Sequence, residues 1–460
     1  MVKRKKGYDY DLIVIGSGSG GSVGANIAAK NGKKVAIFEK EKVLGGECPN
    51  WACVPTKALL HASHIYHSAK NGAQYGLTAD HISYDYKKVK QWKDLVVQRT
   101  GTSEGDAIFA DNGIDVFHGS VRFIGSNEIT SEGRRYTARK FLIASGTNNF
   151  IPPVMGLEDA GYITFKEAID LKEPPKSLLI IGGGAIGVEF AQLFSTFGTK
   201  IHLIELAPRL LGREEPEAAD LAKAIFESRG LDITTHGSIH SIKKVGGKKQ
   251  ISFSDGQEAH IIDVDEILVA SGKTPNVDLG LENAQVAYTR RGITVNKYMQ
   301  TTADHIYAAG DVAGPYQFTH TASYQSRLAA NNMFSRKSNW QAADYSSIPR
   351  CIFIEPEVAS VGITEAEVRE YKITPKIGLV AISLIGRSNT TNSSTGFVKV
   401  VANQKGVILG ATIVAPRAGE MIHELALAVK MGLTAADVAS VIHAFPTWSE
   451  AVRIACAKIK

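Results

Sequence analysis

Cys48 and Cys53 are separated by four residues in Gly45-Gly46-Glu47-Cys48-Pro49-Asn50-Trp51-Ala52-Cys53-Val54-Pro55-Thr56-Lys57, and the chain has only two other cysteines, Cys351 and Cys456. Half of the thiols thus fall in one thirteen-residue segment. Without a secretory signal, such a close pair points to redox chemistry rather than a structural cross-link. Just upstream, Gly16-Ser17-Gly18-Ser19-Gly20-Gly21 fits G-x-G-x-x-G, with Gly16, Gly18 and Gly21 at the three fixed positions and Glu39 standing 23 residues after Gly16. Glycines at that spacing make a tight turn, admit a pyrophosphate to the backbone and pack a helix closely on a strand, and a terminal acid reads a ribose. A dithiol beside a nucleotide site reads as one that exchanges electrons with a nucleotide cofactor.

The elements needed to hold these groups are legible nearby. Tyr10 to Ile15 is a β-branched run suited to a buried parallel strand, residues 23–31 have helical character, and Lys34 to Glu39 forms a second strand. About 165 residues later the pattern recurs. Ser177 to Ile181 leads into Gly182-Gly183-Gly184-Ala185-Ile186-Gly187, a helix is predicted over about 185–197, and Lys200 to Glu205 closes the unit. Gly182, Gly184 and Gly187 repeat the glycine spacing, and Glu205 again lies 23 residues on. Two such units predict two bound nucleotides. A carboxylate at Glu205 favours NADH over NADPH, because it accepts from a free 2′-hydroxyl and repels a 2′-phosphate. Arg209 nearby leaves dual use open.

At 460 residues, with 44% hydrophobic and 21% charged residues, the chain has the composition of a globular protein of about three domains. No apolar run approaches the ~20 residues of a bilayer span, and the basic start Met1-Val2-Lys3-Arg4-Lys5-Lys6 lacks the apolar stretch of a secretory signal. A cytoplasmic location is expected. The net charge of +6 is spread along the chain. Without an aromatic-laced basic face, no nucleic-acid partner is predicted, and no membrane insertion either. Proline pairs at Pro152-Pro153 and Pro174-Pro175 mark breaks.

These features resemble the FAD-dependent pyridine nucleotide–disulfide oxidoreductases, the family of dihydrolipoamide dehydrogenase, glutathione reductase and mercuric reductase. The resemblance runs from Asp11 to about Ile459. It is carried by the first glycine loop, the cysteine motif, the second loop with Val188-Glu189-Phe190-Ala191, Gly272-Lys273-Thr274-Pro275-Asn276, residues 302–311 ending Ala309-Gly310-Asp311, and Pro356-Glu357-Val358-Ala359-Ser360-Val361-Gly362. The fold implied is α/β, with two Rossmann-like dinucleotide-binding domains and a C-terminal α+β dimerisation domain. The expected divisions are an FAD-binding domain at 1–150, an NAD(P)-binding domain at 151–272, a return to the central domain at 273–345 and an interface domain at 346–460.

The resemblance implies FAD and NAD(P)H as cofactors and a homodimer. Gly16, Gly18, Gly21, Glu39, Ser145, Gly146, Asp311, Thr319 and His320 would hold FAD. Gly182, Gly184, Gly187, Glu205 and Gly272 would hold the nicotinamide nucleotide. Cys53 would face the flavin and Cys48 the substrate, with Lys57, partnered by Glu189, near the flavin's reactive nitrogen. No resident metal is expected. The dithiol-handling members carry His-Pro-Thr…Glu near the C-terminus, supplied by the partner subunit. Here it reads His443-Ala444-Phe445-Pro446-Thr447-Trp448-Ser449-Glu450, so Phe445 replaces the base and Glu450 remains. Mercuric reductases carry a vicinal cysteine pair at the C-terminus, where this chain has Cys456 alone.

The function implied passes electrons between NAD(P)H and an acceptor through flavin and Cys48–Cys53. The acceptor would be a small disulfide, a metal ion or a quinone, as in a mercuric reductase-like or other small-acceptor reductase. The alternatives are a dihydrolipoamide dehydrogenase using His443 as a displaced base, and a vestigial flavoprotein binding subunit. His61, His64 and His67 read as a solvated or channel-facing stripe, with a metal site as the alternative. Cys351 and Cys456 read as packing residues.

Overall fold

The computed structural model describes residues 7–78 and 81–460, so the basic start at residues 1–6 lies outside the described residues. The chain divides into two compact units. The first comprises residues 1–59, 85–150 and 272–343. The second comprises residues 60–84, 151–271 and 344–460.

In the first unit, Tyr10–Ile15 is the middle of a parallel sheet. It pairs with Val35–Glu39 on one side and Arg134–Ile143 on the other, with Ile114–His118 and Ile306–Ala308 at the two parallel edges. Glu128–Ser131 and Val121–Gly125 continue the sheet as an antiparallel meander from the first half of Arg134–Ile143. Every residue of Val35–Glu39 is buried, as an unbroken apolar strand covered on both faces must be. The helix Ser19–Lys30 begins four residues earlier than the sequence pattern predicts, because Gly20 and Gly21 already take helical turns beneath the phosphate loop. It packs on Thr319–Phe334. Gly24 permits that approach: its N–H donates to Ser326 Oγ at 2.9 Å, and a Cβ there would come within 2.6 Å of Leu142.

The second unit holds a four-stranded parallel sheet in the order Asp232–Thr234, Lys200–Ile204, Ser177–Ile181, Glu266–Val269. An antiparallel three-stranded sheet, Ser238–Val245, Lys248–Ser254 and Ala259–Val264, adjoins it. Residues from 349 onward build a five-stranded antiparallel sheet in the order Pro349–Ile352, Glu357–Gly362, Ile408–Ala415, Phe397–Ala402, Lys376–Ala381. The helices Ala418–Met431 and Glu450–Ala457 pack on it. Cys456 is fully buried in their shared core, with Cys351 packed against that core. The mixture of parallel α/β units and a C-terminal α+β sheet is the expected fold class. Among the described residues no helix is long and apolar enough to cross a membrane.

Candidate functional site

The first phosphate loop is built by exclusion. Gly16 sits at φ +97, where a Cβ would meet the Ala144 carbonyl oxygen at 2.3 Å, and a Cβ on Gly21 would meet the Gly16 oxygen at 1.9 Å. These two glycines are needed for turn and packing. Gly18 is different: a Cβ there would meet Gly46 Cα at 3.6 Å and the Gly45 carbonyl oxygen at 4.0 Å, ordinary contact with the cysteine-bearing turn rather than a clash. Glu39 is buried at the end of its strand, its Oε2 accepting from Ser17 N at 2.9 Å and from Ser17 Oγ at 2.7 Å. Ser17 Oγ in turn accepts from Gly45 N at 3.0 Å, so one hydroxyl joins Glu39 to the turn that leads to Cys48.

That turn needs two glycines at positive φ, Gly45 at +96 and Gly46 at +70, and a Cβ on Gly46 would reach Gly18 Cα at 2.7 Å. The turn then runs into the single helical turn Glu47–Asn50 that carries Cys48. Asn50 Nδ2 holds the Leu44 and Gly46 carbonyls, both at 2.8 Å. Cys53 opens the helix Cys53–Lys70, with its sulfur 3.5 Å from Thr319 Oγ1 at the start of Thr319–Phe334. Lys57 follows at i+4 from Cys53, on the same helical face. The hydrogen bond to Cys53 and then burial push the Cys48 thiol up, while Thr319 and the Lys57 charge pull the other way.

The rest of the expected flavin set surrounds this turn within the same unit. Ser145 Oγ donates to the Asn276 carbonyl at 2.8 Å, and Asn276 Nδ2 returns a bond to the Ser145 carbonyl at 2.9 Å. Asn276 N also donates to the Gly146 carbonyl at 3.0 Å, and Gly146 itself leaves open space. Burial, and then the charge of Glu47, raise Asp311 to about 6, with Lys273 and the 3.5 Å hydrogen bond from Thr147 Oγ1 opposing. Gly310 N donates to Gln325 Oε1 at 2.7 Å, fixing the loop that carries Asp311. His320 stacks on Phe318 with ring centroids 5.3 Å apart. Thr321 Oγ1 is buried and, among the described residues, has no hydrogen-bond partner. Open space at Gly146, a buried Thr321 hydroxyl without a partner among the described residues and the buried carboxylate of Asp311 are what a bound FAD would satisfy. The residues fit the cofactor.

The second unit repeats the loop. Gly182 sits at φ +110 with a Cβ 2.6 Å from the Ala270 oxygen, Gly187 would clash with the Gly182 oxygen at 1.9 Å, and Gly184 has nothing within 4 Å. Glu205 Oε2 accepts from Gly183 N at 2.6 Å and Oε1 from Ala207 N at 2.7 Å. The following segment closes over the loop, Leu211 N donating to the Gly183 carbonyl at 2.9 Å. It is then clasped to the C-terminal sheet. Arg350 Nε meets Glu214 Oε1 at 3.1 Å and Ser360 Oγ donates to Glu214. Lys399 Nζ lies 3.0 Å from Glu215, 2.8 Å from Glu217 and 2.9 Å from Glu365. Glu189 is buried, and its Oε1 accepts from Phe353 N at 3.0 Å.

Family models for the pyridine nucleotide-disulphide oxidoreductase domain and for its dimerisation domain match residues 10–326 and 348–456. The chain belongs to the pyridine nucleotide-disulphide oxidoreductases. Over 450 residues the oxidoreductase is 35% identical to dihydrolipoyl dehydrogenase of Geobacillus stearothermophilus, covering 96% of this chain and 94% of that one. It is 34% identical over 452 residues to mercuric reductase of Bacillus cereus, covering 97% of this chain and 71% of that one. Its structure is similar to the copper(II) complex of the HOCl-induced flavoprotein disulfide reductase RclA of Escherichia coli, at 29% identity and a TM-score of 0.87, covering 98% and 99% of the two chains. The oxidoreductase is an NAD(P)H-dependent flavoenzyme that uses FAD.

His443 has a side chain only 7% exposed; Nδ1 donates to the Val441 carbonyl at 2.9 Å, and Nε2 faces Glu424 Oε1 at 2.9 Å. Both ring nitrogens thus face acceptors inside its own fold. Phe445 is 75% exposed, and Glu450 Oε2 is buried without a hydrogen-bond partner among the described residues. In the histidine stripe, Gln192 Nε2 donates to His64 Nε2 at 2.9 Å, burial lowers the His64 pKa, and His67 Nε2 meets Asn71 Nδ2 at 3.1 Å. Among the described residues no group of three or more His, Cys, Asp or Glu is arranged to hold a metal ion.

Sequence reasoning did not anticipate Glu47 paired with Lys273, or Glu424 as the partner of His443. Nor did it find Glu214 and Glu215 as anchors for Arg350 and Lys399. Each pair lies 19 to 226 residues apart in the chain, and no local pattern signals it.

Proposed function

We propose that this enzyme carries electrons from NADH through FAD to the Cys48–Cys53 pair and delivers them to an acceptor that needs no protein acid–base group. The observation that carries the reading is the pairing of an assembled redox turn with Phe445 where dithiol-handling relatives place a histidine. Cys53 faces the flavin and Cys48 the acceptor. FAD, when bound, supplies two-electron storage between nicotinamide and disulfide. Glu39 and Glu205 orient the two nucleotides, and Asp311 accepts from the flavin's ribityl chain. Lys57 places a cation where negative charge develops. Ser145, Gly146, Thr319 and His320 line the flavin, and Gly272 the nicotinamide nucleotide.

A soft metal ion, or a disulfide whose thiolate leaves unaided, fits such a site, because a low-pKa leaving group removes the need for a proton donor. The mercuric reductase relative and the copper(II) complex of the structural neighbour support the metal reading. The working form is a homodimer built on the C-terminal sheet, and the enzyme acts in the cytoplasm. NADH consumption by wild type and Cys48→Ser, measured against mercuric and copper(II) ions, aromatic disulfides, quinones and lipoamide, tests the proposal. Turnover with the ions or activated disulfides that Cys48→Ser abolishes supports it. Efficient lipoamide turnover by the wild type refutes it.

A further inference from the structure

In the first unit a run of lysines lies over aromatic rings that touch one another in series. Lys33 Nζ stands 5.4 Å from the centre of the Phe334 ring, and Lys140 Nζ stands 6.0 Å from that ring and 5.8 Å from the ring of Tyr307. Tyr307 meets Trp340 edge-on at 6.3 Å, and Trp340 meets Tyr298 at 5.3 Å. Lys337 Nζ lies 5.6 Å over Trp340, and Lys297 Nζ 5.3 Å over Tyr298. Lys34, beside Lys33, covers Tyr10 at 4.8 Å. The segment that carries Lys337 and Trp340 is pinned, with Asn332 Nδ2 donating to the Gln341 carbonyl at 2.9 Å and Ala343 N to the Lys297 carbonyl at 2.7 Å. None of these five lysines forms an ion pair among the described residues. Burial lowers the Lys140 pKa, and no carboxylate opposes it. Neighbouring Arg139 differs, being paired with Asp11 at 3.3 Å while it covers the Tyr8 ring at 5.6 Å.

These cations come from four separate stretches of chain, at 33–34, 140, 297 and 337, so the sequence shows no basic face laced with aromatics and only the fold assembles one. We propose that this face binds the phosphate backbone of a nucleic acid without reading its bases. Unpaired ammonium groups complement a row of phosphates, and lysine, as a point charge, meets a phosphate oxygen from any direction. The ring beneath each lysine holds its ammonium in place, which lowers the ordering cost of binding. The rings themselves are covered: Tyr307 is buried, and Phe334, Tyr298 and Trp340 are half-buried. They are therefore not free to enter a bilayer, as a membrane-surface site requires. Nor can they anchor a protein partner, because protein interfaces centre on accessible aromatic and apolar side chains and are poor in lysine. The basic sequence Lys3-Arg4-Lys5-Lys6 leads into Tyr8 beside Arg139, the residue before Lys140.

The test is fluorescence anisotropy of labelled single strands and duplexes of about 20 nucleotides and mixed sequence, titrated with the full-length FAD-loaded enzyme between about 50 and 200 mM salt. Salt-dependent binding to both is expected. Lys297→Gln/Lys337→Gln removes two exposed charges, and the slope of log Kd against log salt falls by about 1.5, at roughly 0.7–0.9 for each phosphate contact, with at least about a tenfold loss of affinity at the low-salt end. Adding Lys33→Gln and Lys140→Gln takes the fall in slope to about 3. Lys243→Gln/Lys244→Gln removes the same net charge from the strand Ser238–Val245 in the second unit and leaves binding within about twofold of wild type. NADH oxidation stays at the wild-type rate in every variant. Should the fourfold variant fail to fold, the exposed pair against its charge-matched control keeps the test. Absence of salt-dependent binding overturns the proposal, as does an equal loss in the two double variants, which would show net charge alone at work. Binding that is lost on deletion of residues 1–6 but kept in the fourfold variant belongs to the basic start and refutes the face. Binding to phosphatidylserine vesicles without binding to the oligonucleotides makes it a membrane site and refutes the partner.

Discussion

Replacing Phe445 by histidine is expected to raise the enzyme's turnover of dihydrolipoamide. Phe445 is 75% exposed, so only about a quarter of a ring that can bury roughly 200 Å² is covered, and losing that contact costs about 1 kcal/mol. That is small beside the ~5–15 kcal/mol by which domains are held folded. The phenyl ring rests on Gly386, where an added Cβ would come within 3.1 Å of Cζ, and the smaller imidazole fits the same space. Glu450 Oε2 is buried without a hydrogen-bond partner among the described residues, and an imidazole at 445 whose N–H reached it would be oriented by that carboxylate. General acid–base catalysis is worth ~100- to 10,000-fold, about 3–5 kcal/mol of barrier. The assay is NAD⁺-dependent oxidation of dihydrolipoamide, comparing kcat/KM for wild type, F445H and F445H/E450A across pH. A gain of at least 100-fold with a new limb in the imidazole range, reduced in the double variant, is expected. Activity within twofold of wild type, in an F445H sample with full FAD and an unchanged thermal midpoint, refutes the reasoning.

Other perturbations follow from the same geometry. His443→Ala is expected to leave acceptor turnover unchanged, because both ring nitrogens are engaged by Val441 and Glu424; a tenfold loss in steady-state rate with intact folding would show that the ring reaches substrate. Lys399→Met strips the cation from Glu215, which is 2% exposed, and should destabilise the protein by ~3–5 kcal/mol in urea unfolding, with Lys399→Arg retaining most of that; a loss below about 1 kcal/mol would count against a buried clasp. In FAD-free protein, Asp311 binds its proton more tightly folded than unfolded, at about 6 against 3.8. The stability it contributes is full below about pH 4 and lost as pH rises through 6, by up to ~3 kcal/mol. Urea unfolding between pH 4 and 7 should show that decline, and Asp311→Asn should flatten it.

Much of the architecture is readable from local chemistry. The runs ending at Ile15 and Ile181 are apolar strands, Gly16, Gly21, Gly182 and Gly187 sit where a Cβ cannot, and Glu39 ends its strand while Glu205 directly follows its own, so both nucleotide units follow from a few dozen residues. The helix Ser19–Lys30 starts earlier than periodicity predicts because glycines carry no apolar signal. The strand Ile114–His118 crosses to the sheet edge beside Val35–Glu39, a long-range choice that no window of sequence contains. The redox pair and the missing base were legible as residue types. The electrostatics around them were not, since Lys273 meets Glu47, and Glu424 meets His443, only through the folded topology.

The clasp of Glu214 and Glu215 on Arg350 and Lys399 limits how such an enzyme can be recombined. The segment that closes the second phosphate loop and the C-terminal sheet share buried charges, so a graft that exchanges one of them strands ions of a single sign in the interior. A chimera with a foreign nucleotide-binding segment must carry matched partners at 350, 360, 365 and 399. Shuffling at the apparent sequence boundary near residue 346 is therefore expected to fail unless that whole set of charges travels together. In lineages of such enzymes, the coenzyme-binding segment and the C-terminal sheet would then be inherited as one unit.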